Sequence, residues 1–357
     1  MASVREIARL AGVSTSTVSR ALNNDPAVNG ATREKVLAVA NQSGYVASVG
    51  RLVTTNVGFV YAGGETTLGS TFDSALLSGV VRGLEQPKFD VVVINLQRDK
   101  SQDENYSQFF RRKGLRGVLV RTAASTRDVC RSIADEHFPM LVVSERFDDE
   151  NVSFIDCDSH RESIQAMEYL ISLGHRRIAF GMHTVPDSNH IDRFAGYKKA
   201  LEAHGIPYDE KLIFRQNASF SGGASAVKMM MTMAVPPTAV YFADPLLSVG
   251  AINVAHETGI RIPENLAVVG FDDADIRHSV YPTMTAVCQD AARLGYEAAL
   301  ELTRMIRENG GTRIQRILPT FLEVNESTGP PGGASVRVPE NGSWTPVSPG
   351  MTEVHES

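Results

Sequence analysis

A chain of 357 residues with 43% hydrophobic content is long enough to bury a large core and to divide into more than one domain. Its net charge of −6 argues against a whole-chain polyanion binder, but over residues 1–51 the cations Arg5, Arg9, Arg20, Arg33, Lys35 and Arg51 face only Glu6, Asp25 and Glu34, so a basic front end precedes an acidic remainder. Cys130, Cys157 and Cys288 are scattered, odd in number and form no C-x-x-C pair, which argues against a disulfide framework or a zinc site and fits buried thiols in a reducing cytoplasm. No hydrophobic signal core opens the chain, and no apolar run approaches the roughly 18 residues that span a bilayer, so the expectation is a cytoplasmic protein without membrane contact.

The chain opens on a helix pair. Val4, Ile7, Ala8 and Ala11 recur at helical spacing, and Gly12 supplies a residue that can end a helix with positive φ. Ser14 is a natural N-cap for a second helix whose Val18 and Leu22 point inward, with Val13 just outside it, leaving Thr15, Ser16, Ser19 and Arg20 on the outer face. A third helix is expected from about Ala31 to Ser43, with Val36, Leu37 and Ala40 inside and Gly44 closing it. This is helix-turn-helix spacing. Short hydroxyl side chains at the start of the second helix let its backbone approach base edges in a major groove, and Arg20 can fork onto guanine O6 and N7. Ser19, Asn23 and Tyr45 are placed for phosphates. The competing reading is that the hydroxyls are caps and surface filler, and that the small helices serve dimerisation.

The run "VREIARLAGVSTSTVSRALNN", the segment "TREKVLAVANQSGY" and the stretch through about Glu326 resemble the lactose-repressor (LacI/GalR) family of transcriptional regulators. The resemblance implies that Thr15, Ser16 and Arg20 read bases while Thr17, Ser19, Asn23 and Tyr45 contact phosphates. It also implies a fold: a small all-α helix-turn-helix headpiece (1–47), a hinge (48–56), a two-lobed α/β effector domain of periplasmic-binding-protein type with parallel sheets flanked by helices (57–328), and a tail (329–357). The hinge departs from the family. "GYVASVGRLVTTNVGF" lacks the usual Pro and Asn, is several residues short, and carries Gly50 inside the would-be hinge helix at a cost of roughly 1 kcal/mol relative to Ala. Leu52 remains the candidate minor-groove wedge.

Beyond Thr55, β-rich runs ("NVGFVY", "DVVVINL", "RGVLVR", "MLVVSE", "RRIAFGM", "TAVYFA", "LAVVGFDD") alternate with amphipathic stretches at 74–85, 159–173, 193–203, 246–258 and 290–307. That alternation predicts parallel sheets covered by helices, with ligands beyond the C-terminal ends of strands. Phe72 is expected in the loop after the first strand, with Asp73 following at a helix start. Arg193 is a fixed-charge fork suited to paired oxygens. Phe220 precedes a helix expected from Ser221 and offers an aromatic face. Asp272 follows a buried strand and can accept two hydroxyl hydrogen bonds.

Aromatic faces with a carboxylate and a guanidinium suit a polyhydroxylated ligand. Blander readings compete, since Arg193 and Asp272 can pair with each other or cap helices, and the two phenylalanines can be core. The resemblance places Phe72, Asp73, Arg193, Phe220 and Asp272 on the effector cleft. Ala243 stands where an asparagine is common and Ala291 where some members carry an aromatic, so no relative's ligand can be copied.

No catalytic constellation appears: there is no G-x-S-x-G, P-loop or H-E-x-x-H, and no metal or cofactor is expected. The segment after Thr328, rich in Gly, Pro and Ser around the single Trp344, reads as disordered. The sequence therefore predicts a non-enzymatic, sequence-specific DNA-binding regulator. The expected partners are double-stranded operator DNA, a second copy of the chain in a homodimer, and a small-molecule effector. A carbohydrate is the favoured effector, with nucleobases as the alternative. A sugar receptor without DNA regulation, and a DNA binder without effector control, are the rival functions.

Overall fold

The computed structural model of the chain describes residues 3–22, 25–42, 54–63, 67–184, 187–308 and 313–333. Asn23, Tyr45, Leu52 and residues 48–53 of the expected hinge lie outside the described residues, as does the segment 334–357 with Trp344.

Three helices form the headpiece: α1 (Val4–Ala11), α2 (Thr15–Leu22) and α3 (Gly30–Gln42). Ser3 caps α1, accepting from the Glu6 amide, and Gly12 ends it in the left-handed region at φ 67°, where a side chain would be strained. Ser14 caps α2, its Oγ accepting from the Thr17 amide at 3.0 Å. Ile7, Ala11, Val18, Ala21, Val36 and Ala40 are buried together, with Val13 and Leu22 packed against them. So small a core gains little from burial alone. Arg33 reinforces it by donating from Nη2 to the carbonyls of Asp25 (2.8 Å) and Val28 (3.1 Å), which staples the turn between α2 and α3.

The body runs β1 (Asn56–Tyr61), α4 (Thr71–Glu85), β2 (Asp90–Asn95), α5 (Leu96–Asp99), α6 (Tyr106–Arg112), β3 (Leu115–Arg121), α7 (Arg127–Asp135), β4 (Met140–Val143) and β5 (Phe154–Cys157). It continues with α8 (Arg161–Ser172), β6 (Ile178–His183), α9 (Ser188–Ala203), β7 (Ile213–Gln216), α10 (Phe220–Met231), β8 (Ala239–Phe242), α11 (Pro245–Glu257), β9 (Ala267–Asp272) and β10 (Thr285–Cys288). The last elements are α12 (Ala291–Arg307), β11 (Gln315–Leu318) and β12 (Phe321–Glu323).

Two six-stranded sheets result, ordered β11-β5-β4-β3-β1-β2 and β12-β10-β9-β8-β6-β7. Pairing is parallel except at the antiparallel edge strand β12. The chain passes between the lobes three times, after β5, β10 and β11, because α12 and β11 return to the N-terminal sheet while β12 belongs to the C-terminal one. In the N-terminal lobe, Phe59, Leu76, Leu119 and Ile155 share a core with Leu294, Ala298 and Leu302 of α12. Helices α4 and α12 touch backbone to backbone: a Cβ at Gly79 would lie 1.8 Å from the Ala292 carbonyl oxygen, and one at Gly295 would lie 2.0 Å from that of Leu76. Only glycine permits that approach.

The C-terminal lobe is closed from below by the end of the described chain. His175 places Nδ1 2.9 Å from Thr238 Oγ1 and Nε2 2.8 Å from the Gly329 carbonyl oxygen. Gly329 and Pro331 thus lie on the lobe, past the boundary expected at residue 328. All three cysteines are free and buried. Among the described residues, no helix is long and apolar enough to cross a membrane, and no cluster of His, Cys, Asp or Glu could hold a metal ion.

Candidate functional site: a reading helix and an interlobe cleft

On α2 the side chains of Thr15, Ser16, Ser19 and Arg20 are exposed along the outer face, while Thr17 is half-buried and shares a hydroxyl contact of 2.8 Å with Ser14. Arg20 is 64% exposed, and its Nε stands 3.9 Å from Asp25 Oδ2, a contact too long and too solvated to hold the guanidinium. The described headpiece therefore presents one long cationic donor between short hydroxyls on its second helix. Arg20→Ala is expected to relax operator preference at one base pair per half-site, losing roughly 1–3 kcal/mol of discrimination. Binding to a panel of base-substituted operators checks this, and an unchanged preference would refute the role.

The cleft is built where strands end and helices begin. In the N-terminal lobe Ser70 caps α4, accepting from the Asp73 amide at 3.1 Å, so Phe72 lies in the first helical turn rather than in the preceding loop. Asp73 is buried and accepts from Arg121 Nε at 2.9 Å, from the Tyr61 hydroxyl at 3.0 Å, and from Thr67. The Arg121 guanidinium lies 4.7 Å over the Phe72 ring and donates from Nη1 to the Val143 carbonyl at 2.9 Å. Phe72 and Asp73 thus both contact Arg121 at the C-terminal end of β3, a residue the sequence did not single out.

In the C-terminal lobe Arg193 on α9 is only 5% exposed. Its guanidinium lies 3.4 Å from the centroid of the Phe271 ring, and Nη1 donates to the Ala243 carbonyl at 2.7 Å. Nη2 reaches Ser159 Oγ at 3.4 Å, while Nε is buried without a hydrogen-bond partner. The carbonyl of Ala243 thus engages the fork at the position where the family often carries asparagine. Arg193 does not pair with Asp272. Asp272 is turned into its own lobe, where Oδ1 accepts from the amides of Ala274 and Ile276, and Oδ2 from the amide and Nη1 of Arg277. Those four donors fill the lone pairs that hydroxyls were expected to use.

The next residue, Asp273, lies just past the end of β9 and makes different contacts. There its Oδ1 accepts from Gln289 Nε2 at 2.5 Å. Burial pushes the Asp273 carboxyl up to about 6, opposed by the Arg193 charge and the Gln289 bond and reinforced by Asp244 and Asp272. Phe220, capped in place by Ser219, is the first residue of α10 and is 52% exposed. Ala291 is fully buried at the start of α12.

Direct contacts also join the lobes. Asn189 of α9 donates from Nδ2 to the Ser144 carbonyl (3.3 Å), Ser144 Oγ (3.2 Å) and Asp156 Oδ1 (3.3 Å). Ser188 Oγ donates to Glu145 Oε2 at 2.8 Å, and Arg146 pairs with both Asp156 (2.9 Å) and Asp192. Burial raises the carboxyl pKa of both Glu145 and Asp156. Sequence reasoning missed this group because its members are scattered polar residues at strand and helix ends, with no period to mark them.

An exposed hydroxyl and arginine face on a helix-turn-helix headpiece, in one chain with a two-lobed α/β body, defines a DNA-binding regulator with an effector domain. Comparison with known proteins agrees. Residues 3–48 match the model of bacterial regulatory proteins of the lacI family, and residues 167–328 match a periplasmic binding protein-like domain. The chain is 30% identical over 330 residues to the HTH-type transcriptional regulator CelR of Thermobifida fusca, covering 90% of this chain and 96% of the relative. It is 27% identical to the HTH-type transcriptional regulator DegA of Bacillus subtilis over 92% of this chain and 98% of that one.

Among solved structures, a CelR–cellobiose complex superposes with a TM-score of 0.65 at 29% identity, covering 92% of this chain and all of that one. A LacI family regulator from Enterococcus faecium with bound ribose gives 0.67 at 25% identity, covering 77% of this chain and 99% of that one. The chain belongs to the lacI family of bacterial regulatory proteins. It is a helix-turn-helix transcriptional regulator whose periplasmic-binding-protein-like domain suits allosteric control.

Proposed function

We propose that the protein acts in the cytoplasm as a homodimeric repressor, and that a polyhydroxylated small molecule, a carbohydrate in the favoured case, binds between its lobes and controls operator affinity. Arg193 carries this reading, since a buried guanidinium with an unpartnered Nε is a donor held ready for a ligand oxygen. Asp273, whose carboxyl feels the Arg193 charge, supplies an acceptor, Phe220 offers an exposed ring for a sugar face, and Asp73 and Asp272 contact Arg121 and the β9 turn. The cellobiose and ribose bound to two structural neighbours support the ligand class.

On DNA, Thr15, Ser16 and Arg20 serve as base readers, and Thr17, Ser19, Asn23 and Tyr45 as phosphate contacts, with Leu52 in the hinge as the minor-groove wedge. The division into headpiece (1–47), hinge (48–56), effector body (57–328) and tail (329–357) belongs to the same proposal, with Gly329 and Pro331 at the start of the tail packed on the body. Two headpieces on a dimer require a pseudopalindromic operator. The effector acts only through its different affinity for the two states of the dimer. The transcriptional regulators that the chain resembles favour a non-enzymatic role.

Selection of operators from random duplex DNA, with and without a mixture of sugars and nucleobases, tests this. A pseudopalindrome that weakens with the mixture marks an inducible repressor, and one recovered only with the mixture marks a corepressor. A pseudopalindrome indifferent to the mixture would refute effector control, and failure to recover any sequence would refute operator reading.

A further inference from the structure

Three consecutive residues of the N-terminal lobe, Ser144, Glu145 and Arg146, meet Asn189, Ser188 and Asp192 of α9 in the C-terminal lobe. Positions 188 and 192 lie one turn apart on that helix, as do 189 and 193, so the residues that grip the other lobe share a helix face with Arg193. Asp156, fully buried, is common to both sides: Oδ2 accepts from Arg146 and Oδ1 from Asn189.

The N-terminal half of this strip is pinned in advance. Arg127 pairs with Glu145 and donates from Nη2 to the Arg146 carbonyl at 2.7 Å, and Ser144 is held at φ 64°, a conformation that a non-glycine residue keeps only when its surroundings impose it.

We propose that Arg146 and Asp192 are positioning residues that hold the two lobes together across the cleft independently of effector, so that Arg193 is presented to the effector from an already closed site. The proposal rests on the cleft reading for what the closed state is for, but the closure is measurable without any effector. Two states that differ by a few polar contacts exchange with modest bias, and a ligand specific for the closed one pays in affinity for whatever fraction is open. Asp192 side-chain exposure is 28%, and its removal leaves Arg146 still paired with the fully buried Asp156.

The test is electron–electron distance measurement on the full-length protein with spin labels at two exposed positions, Ser101→Cys in the N-terminal lobe and Lys211→Cys in the C-terminal lobe, the native cysteines being buried. The doubly labelled protein is expected to show one dominant distance. Asp192→Asn should move at least half of that population to a different or broader distribution, and Asp192→Glu should restore it. Arg146→Gln should shift the distance like Asp192→Asn, and the double variant should add nothing beyond either single one. A label distance unchanged in Asp192→Asn, or a lowered melting temperature with the distance unchanged, would mean an ordinary structural ion pair and overturn the proposal. A broad distribution in the otherwise unsubstituted protein would overturn it equally.

Discussion

Between pH 4 and pH 7 the unfolding free energy of the parent protein is expected to fall relative to that of its Asp273→Asn variant by about 2 kcal/mol. Burial lifts the Asp273 carboxyl to about 6 in the folded chain from an ordinary value of 3.8, and each tenfold change in proton affinity corresponds to about 1.4 kcal/mol. The folded state therefore holds a proton that the unfolded state has already released. Its stabilising contribution is complete below pH 3.8 and is lost as pH rises through 6. Glu145, Asp156 and Glu162 are shifted upward by burial as well, so the parent's own pH curve mixes several groups. Subtracting the variant's curve isolates Asp273. Asparagine keeps the acceptor for Gln289 and removes the titration, and denaturant melts of both proteins across that range give the comparison. Parallel curves would show that Asp273 titrates normally and is not the strained carboxylate of the cleft.

That strain has a functional side. At neutral pH Asp273 is ionised in a site where burial and two neighbouring carboxylates oppose it. A ligand hydroxyl that donates to it relieves part of the penalty, and one that accepts from Arg193 Nε satisfies a donor left idle in the protein. The proposed site therefore favours a small molecule that bears both donors and acceptors, a polyol rather than an apolar effector.

Much of this was legible in the sequence, and what was not has identifiable causes. β1 occupies the run "NVGFVY" and α12 lies within a residue of the amphipathic stretch 290–307, because long elements buried on defined faces carry clear periodicity. β5, β7, β10, β11 and β12 went unread. They are as short as β4 and β8, but where those are wholly apolar each of these carries a polar residue, and β7, β11 and β12 are sheet edges. The α9 start at Ser188 lies five residues before the expected one because its first turn, "SNHID", is polar: those side chains grip the other lobe instead of filling a core. In the cleft, residue type located Arg193, but it could not tell which of two adjacent aspartates faces inward. The Arg277 bonds that claim Asp272 decide that.

The Arg193→Lys protein is expected to keep its operator and lose its effector. Alanine would be a poorer choice, since it vacates the space over Phe271 and orphans the Ala243 carbonyl inside the lobe. Lysine retains a charge and a stem at this buried position but has no planar fork, so it cannot stack on the ring and also present a second donor in a fixed direction. Losing one charge-assisted hydrogen bond to the effector, worth roughly 1.5–3 kcal/mol, predicts affinity weaker by about tenfold to a hundredfold. The headpiece is a separate three-helix unit with its own core, so operator affinity without effector should match that of the parent.

The measurement pairs the rise in melting temperature produced by the sugar and nucleobase mixture with operator binding by both proteins. A rise in the parent that disappears in the variant, at equal operator affinity, places Arg193 in the effector site. An equal rise in both would remove Arg193 from it, and no rise in the parent would remove the cleft itself from the regulatory mechanism.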